Sequence, residues 1–172
     1  MKSYALFILL VLLSSCSRKS EEQLIKEAET AQEQKNFQIA VERYQELADR
    51  YSQSARAETS LYRIALIYNN DLHDVEHAVE AYRKFYTSYP ESKDAPTAMF
   101  LRGFIFNNEL HKIDSAKVVY EAFLQHYPRH ELATSARFEL ETLGKDPGQF
   151  ITPETGDSVQ LRTQRSKKFS GQ

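Results

Sequence analysis

Ala78-Val-Glu-Ala-Tyr-Arg-Lys-Phe-Tyr-Thr-Ser-Tyr89 is one of three variants of the same stretch. The others are Ala40-Val-Glu-Arg-Tyr-Gln-Glu-Leu-Ala-Asp-Arg-Tyr51 and Ala116-Lys-Val-Val-Tyr-Glu-Ala-Phe-Leu-Gln-His-Tyr127. The alanines stand 38 residues apart both times, which brings Tyr44, Tyr82 and Tyr120 into register, and likewise Leu47, Phe85 and Phe123. Phe37, Val75 and Ile113 precede the alanines by three residues. Apolar positions at −3, 0, +4, +7 and +11 make one stripe of a 3.6-residue period, so each stretch is expected to be an amphipathic helix. Pro90 and Pro128 follow two of the three and are expected to stop them.

A second helix is expected before each. Residues 57–70 and 95–108 share the 38-residue offset, and both end in Asn-Asn. Residues 21–34 supply the matching helix of the first unit, and 133–143 begin the pattern a fourth time before Gly144. A helix pair cannot bury its stripe alone, so neighbouring pairs must stack and the last must be closed by a further helix, here 133–143. Ala28, Ala65 and Gly103 are expected to be small so that each first helix can approach Ala40, Ala78 or Ala116 of the second.

The chain begins with Met-Lys-Ser-Tyr, an apolar run from Ala5 to Leu13, and Leu13-Ser14-Ser15-Cys16. A charge, an apolar run of nine and small residues read as a secretory leader. The run falls short of the roughly 20 residues that span a bilayer. Cys16 is the only cysteine, so no disulfide partner exists in the chain. Its four-residue context resembles the lipobox of bacterial lipoproteins. That resemblance implies a diacylglycerol on the Cys16 thiol, cleavage of residues 1–15 and acylation of the new amine. Several acyl chains, at about 0.8 kcal/mol per CH₂, anchor durably where one is marginal. The expected organisation is a signal peptide at 1–15, acylated cysteine and short linker at 16–20, a repeat domain at 21–144 and a flexible tail at 145–172.

A net charge of −2 implies neither nucleic acid nor an anionic surface as principal partner. Ten tyrosines and ten phenylalanines must be buried or form a binding face. No Gly-x-Ser-x-Gly, phosphate loop or His-Glu-x-x-His is present, so no enzyme is expected. Neither a metal nor a cofactor is expected either. His73 and His77 straddle a turn, His126 and His130 flank Pro128, and no other ligand type recurs at metal-like spacing.

The repeat resembles the tetratricopeptide family through Ala65, Tyr68, Ala78, Tyr82 and Pro90, and through Gly103, Phe106, Ala116, Tyr120 and Pro128, with one extra residue in the turn. The first unit has Ala28, Ala31, Ala40 and Tyr44, but Ser52 in place of the proline, and Arg102 stands where an apolar residue is usual. The resemblance implies an all-α, right-handed solenoid of about three TPR-like helix hairpins plus a closing helix.

Solenoids of this kind bind through the inner face of their first helices. By register that face offers Tyr62, Leu66 and Asn69, then Phe100, Phe104 and Asn107, a candidate groove for an extended segment or a helix of a protein partner. The competing reading is that the aromatics pack between helices and the asparagines cap them.

A lipobox followed by Tyr89-Pro90-Glu91-Ser92-Lys93-Asp94-Ala95 junctions, with Met99-Phe100-Leu101-Arg102-Gly103, resembles the BamD-like outer-membrane assembly lipoproteins. The junctions also resemble the Tol-Pal-associated periplasmic repeat proteins. The first resemblance implies a lipid-anchored scaffold on the periplasmic face of the outer membrane that binds protein partners of the cell envelope. The second implies a peptidoglycan- or division-linked accessory. A pilotin-like secretin chaperone is a third possibility that also pairs a lipid anchor with helical repeats.

Overall fold

The computed structural model describes residues 18–145. The leader, Cys16 and the tail beyond Lys145 lie outside the described residues. Within them are seven α-helices and no strand. In chain order they are α1 (Glu21–Glu33), α2 (Phe37–Arg50), α3 (Ala55–Leu66, continued by a π-turn over Ile67–Asp71), α4 (Val75–Ser88), α5 (Ala95–Asn108), α6 (Ile113–His126) and α7 (Ala133–Thr142). The chain divides between Ala95 and Pro96 into two compact units. In the first, α1 packs on α2, α2 on α3 and α3 on α4; in the second, α6 packs on α7.

The 38-residue stripe is the core. Ala40, Ala78 and Ala116 are completely buried, and so are Leu47, Tyr82, Tyr120 and Phe123, with Tyr44 and Phe85 nearly so. Phe37, Val75 and Ile113 are the first residues of α2, α4 and α6. Helix α5 is apolar around most of its circumference, and Ala98, Met99, Ile105 and Phe106 are all buried. Gly103 has a more specific reason than the expected approach to Ala116. A Cβ there would lie 2.8 Å from Cε1 of Tyr120, one helical turn beyond Ala116, so the glycine makes room for a buried ring.

Two further registers line the first helices. Ala57, Ala95 and Ala133 are buried, as are Ser60, Ala98 and Ala136. Ser60 is the polar exception, and its hydroxyl has no hydrogen-bond partner among the described residues. An unsatisfied buried hydroxyl costs free energy, and alanine is the better helix former. Ser60→Ala is therefore expected to stabilise the protein by about 1 kcal/mol, read as a higher urea midpoint at unchanged slope.

Each second helix ends the same way. The N–H groups of Tyr51, Tyr89 and Tyr127 donate to the carbonyls of Leu47, Phe85 and Phe123, and the following turns repeat as Ser54 to Tyr51, Ser92 to Tyr89 and His130 to Tyr127. Helix α2 therefore stops at the same register as α4 and α6, although Ser52 replaces proline. The hydrogen-bonded turn sets the end; Pro90 and Pro128 are compatible with it rather than its cause.

The turns inside each pair do differ. Ala28 and Ala40 are twelve residues apart, whereas Ala65 to Ala78 and Gly103 to Ala116 are thirteen. In the first turn Asn36 N–H reaches the Ala31 carbonyl. In the later ones Asp74 N–H reaches back to Tyr68 and Lys112 N–H to Phe106, one residue further. In the second pair that extra residue appears as the π-turn over Ile67–Asp71, where sequence periodicity predicts ordinary helix to residue 70. All three turns pass through a left-handed residue, Lys35, His73 or His111.

Asp74 caps α4: its Oδ1 accepts from the His77 N–H at 3.1 Å. That backbone N–H, then the His77 ring, holds the Asp74 carboxyl below the usual carboxylate range. A carboxylate depressed in the folded state stabilises it above the unfolded pKa and loses that contribution as pH falls through the folded value. Asp74→Ala is expected to cost about 1 kcal/mol near neutral pH. The difference from wild type should shrink below pH ~4, which denaturation at several pH values measures.

Candidate partner-binding groove

Tyr62 and Leu66 lie on one face of α3, and Asn69 follows them within the π-turn. Phe100, Phe104 and Asn107 share the corresponding face of α5, since residues three and four apart stack on a helix. The six do not share one environment. The Tyr62 ring is half-buried, 4.9 Å from Phe85 and 6.4 Å from Tyr82, centroid to centroid, so it fills the α3–α4 interface. Burial raises its phenol pKa, with Asp94 adding to the effect. Phe100 does the same work between α5 and α6, at 5.7 Å from Tyr120 and 6.1 Å from Phe123. These two rings are packing elements that remain partly accessible.

Leu66 is half-buried, and Phe104 is 39% exposed although its neighbours Ile105 and Phe106 are buried. Asn69 donates to the Asn70 side chain at 2.7 Å, and Asn107 donates to Glu139 of α7 at 3.3 Å. The accessible surface therefore comes from the aliphatic or aromatic residue at one register and the amide three residues on. In the first unit, Gln32 of α1 is occupied by the Tyr44 hydroxyl at 3.2 Å.

Sequence reasoning missed the α7 side of this surface. A pocket of about 380 Å³ opens between the end of α5, the start of α6 and α7, lined by Asn107, Asn108, His111, Phe138, Glu139 and Thr142. Phe138 is 55% exposed. It stands 38 residues after Phe100 and 76 after Tyr62, so the period could have marked it. The Glu139 carboxylate also faces the buried Tyr120 phenol, which burial in the first place, and that charge in the second, push up in pKa.

Arg102 sits at an apolar position of the repeat because its guanidinium stacks over Phe106, 4.8 Å from the ring centroid. The histidines are dispersed. His77 stacks on Tyr68 at 5.1 Å and contacts Asp74 at 2.7 Å; His130 packs edge-on against Phe123 at 6.0 Å and accepts from the Leu132 N–H. Among the described residues no three potential ligands cluster to hold a metal, and no helix is long and apolar enough to cross a membrane.

The sequence profile of the family YfiO, described as outer membrane lipoprotein, matches residues 17–146. No curated protein matches the chain.

Proposed function

Because this chain belongs to the YfiO family of outer membrane lipoproteins, BamD-like proteins of tetratricopeptide type, we propose that it is a lipid-anchored scaffold. On this reading it faces the periplasm, binds protein partners during assembly of the outer membrane, and catalyses no reaction. The observation that carries this is the family match itself, which runs from the residue after Cys16 through all seven helices. Cys16 is the proposed acylation site, residues 1–15 the cleaved leader, 16–20 the linker, 21–144 the repeat domain and 145–172 a flexible tail. Within each unit we read the helix packing as having the right-handed sense that the tetratricopeptide resemblance implies.

The partner is proposed to contact the accessible registers of the first helices: Leu66 and Asn69 in one unit, Phe104 and Asn107 in the other, with the accessible parts of Tyr62 and Phe100 beside them. An apolar residue next to an amide suits a peptide segment, which offers both apolar side chains and backbone groups. A photo-crosslinking residue at Leu66 or Phe104 is expected to capture the same envelope protein in living cells. One at Glu42, exposed on α2, should not. Adducts from all three positions alike, or from none, would overturn the groove.

A further inference from the structure

Lys19 and Ser20, the last residues before the first helix, are built into the fold. The Lys19 carbonyl accepts from Nη2 of Arg50 at 3.0 Å and from the Tyr51 hydroxyl at 3.1 Å, both at the end of α2. The Arg50 guanidinium also lies over the Tyr51 ring, 5.7 Å from its centroid. The Lys19 ammonium pairs with Glu27, which Arg43 also contacts, at 3.2 Å. Ser20 and Gln23 then close a capping box at the start of α1. Glu21 is bonded by Ser54 and Glu22 by Arg56, at the start of α3. Five consecutive positions after the short Ser17-Arg18 step are thus tied down, Lys19, Glu21 and Glu22 by contacts with α2 or the start of α3, and Ser20 and Gln23 by the cap.

From Cys16 to Lys19 there are three peptide steps, which reach about 11 Å at full extension. The attachment point is therefore confined to the edge of the first unit where α1 begins, α2 ends and α3 begins. That edge carries Arg18, Lys19, Arg50 and Arg56 against Glu21, Glu22, Asp49 and Glu58, so its charges balance. The other edge, where α1 and α3 end and α4 starts, carries Glu33, Asp71, Asp74 and Glu76 with Lys35. An anionic leaflet repels a net-acidic surface, so it accepts the balanced edge beside the anchor and disfavours the far one.

We propose that the Lys19 clamp makes the α2–α3 edge of the first unit a membrane-facing surface, which lies against anionic lipid headgroups and holds the far edge away. This rests on acylation of Cys16, the reading given above. Helix α1 is 13 residues long, so its two ends differ in depth by up to about 18 Å when it stands off the membrane.

The test uses the full acylated lipoprotein in vesicles of phosphatidylethanolamine and phosphatidylglycerol containing a headgroup-attached nitroxide quencher. With the native thiol acylated, Gln53→Cys or Glu33→Cys supplies a single labelling site at an exposed residue of either edge. A fluorophore at 53 is expected to be quenched at least threefold more than one at 33. In an Arg50→Ala, Tyr51→Phe background, with folding checked by circular dichroism, the two should converge. Equal quenching at 53 and 33 in the otherwise native acylated protein overturns the orientation and leaves the acylation reading standing. A bare Cys16 thiol by mass spectrometry overturns both.

Discussion

Cys16→Ala is expected to move the protein almost completely from the washed membrane fraction to the soluble periplasmic extract and to abolish its labelling by radioactive fatty acid. At about 0.8 kcal/mol per buried CH₂, each acyl chain contributes far more than any surface contact of the folded part. No helix among the described residues is long and apolar enough to substitute for it. The edge around Lys19 and Arg50 offers only balanced, largely paired surface charges, whose interaction with lipid is screened within a Debye length. Retention of the alanine variant in the pellet after a high-salt wash, with the fatty-acid label unchanged, would show that another residue or segment makes the attachment. The fold should be unaffected, because the contacts that start α1 begin at Lys19. Circular dichroism of the released variant should therefore match that of the native protein.

The second large effect concerns the core. Phe123→Ala is expected to destabilise the protein by about 3–5 kcal/mol, the range for removing a fully buried aromatic ring. The side chain is 0% exposed and touches rings from three directions: Phe100 at 6.1 Å, Tyr127 at 5.5 Å and His130 at 6.0 Å. Those neighbours belong to α5, to the end of α6 and to the turn before α7, so the cavity would open where three elements meet and collapse poorly. Val118→Ala on the same helix supplies the control. Val118 is 65% exposed, and its substitution should stay within about 0.5 kcal/mol of wild type. Equal losses for the two variants in urea titrations would mean that Phe123 is not the anchor its burial indicates.

The helices were legible because a 38-residue period in apolar type is a statement about which side chains must leave water. Tyr44, Tyr82 and Tyr120 are buried where that period puts them. The exposure of the proposed groove residues was legible only in part. Leu66 and Phe104 are accessible, but Tyr62 and Phe100 occupy the same helical faces and spend most of their surface on α4 and α6. Helical spacing identifies a face, whereas the partner helix decides how much of it remains uncovered. Phe138 makes the point from the other direction: it shares the register of those two rings, yet it is more than half exposed. Glu139 was missed for a different reason, since its contact with Asn107 joins residues 32 apart that no local pattern connects.

The repeat length, the helical class, the small residues at Ala40, Ala78 and Ala116, and the resemblance of Leu13-Ser14-Ser15-Cys16 to a lipobox were legible in the sequence alone. Periodic burial and short linear motifs are local properties of a chain. Tertiary structure decided what depends on distant groups meeting. It set Tyr120 against Gly103, left the Ser60 hydroxyl without a partner among the described residues, and routed an extra residue through the π-turn after Leu66. It also placed Arg50 and Tyr51 on the Lys19 carbonyl, across some thirty residues of chain. A hydrogen bond or steric limit of that kind depends on relative position in space, and two helices must pack before it exists.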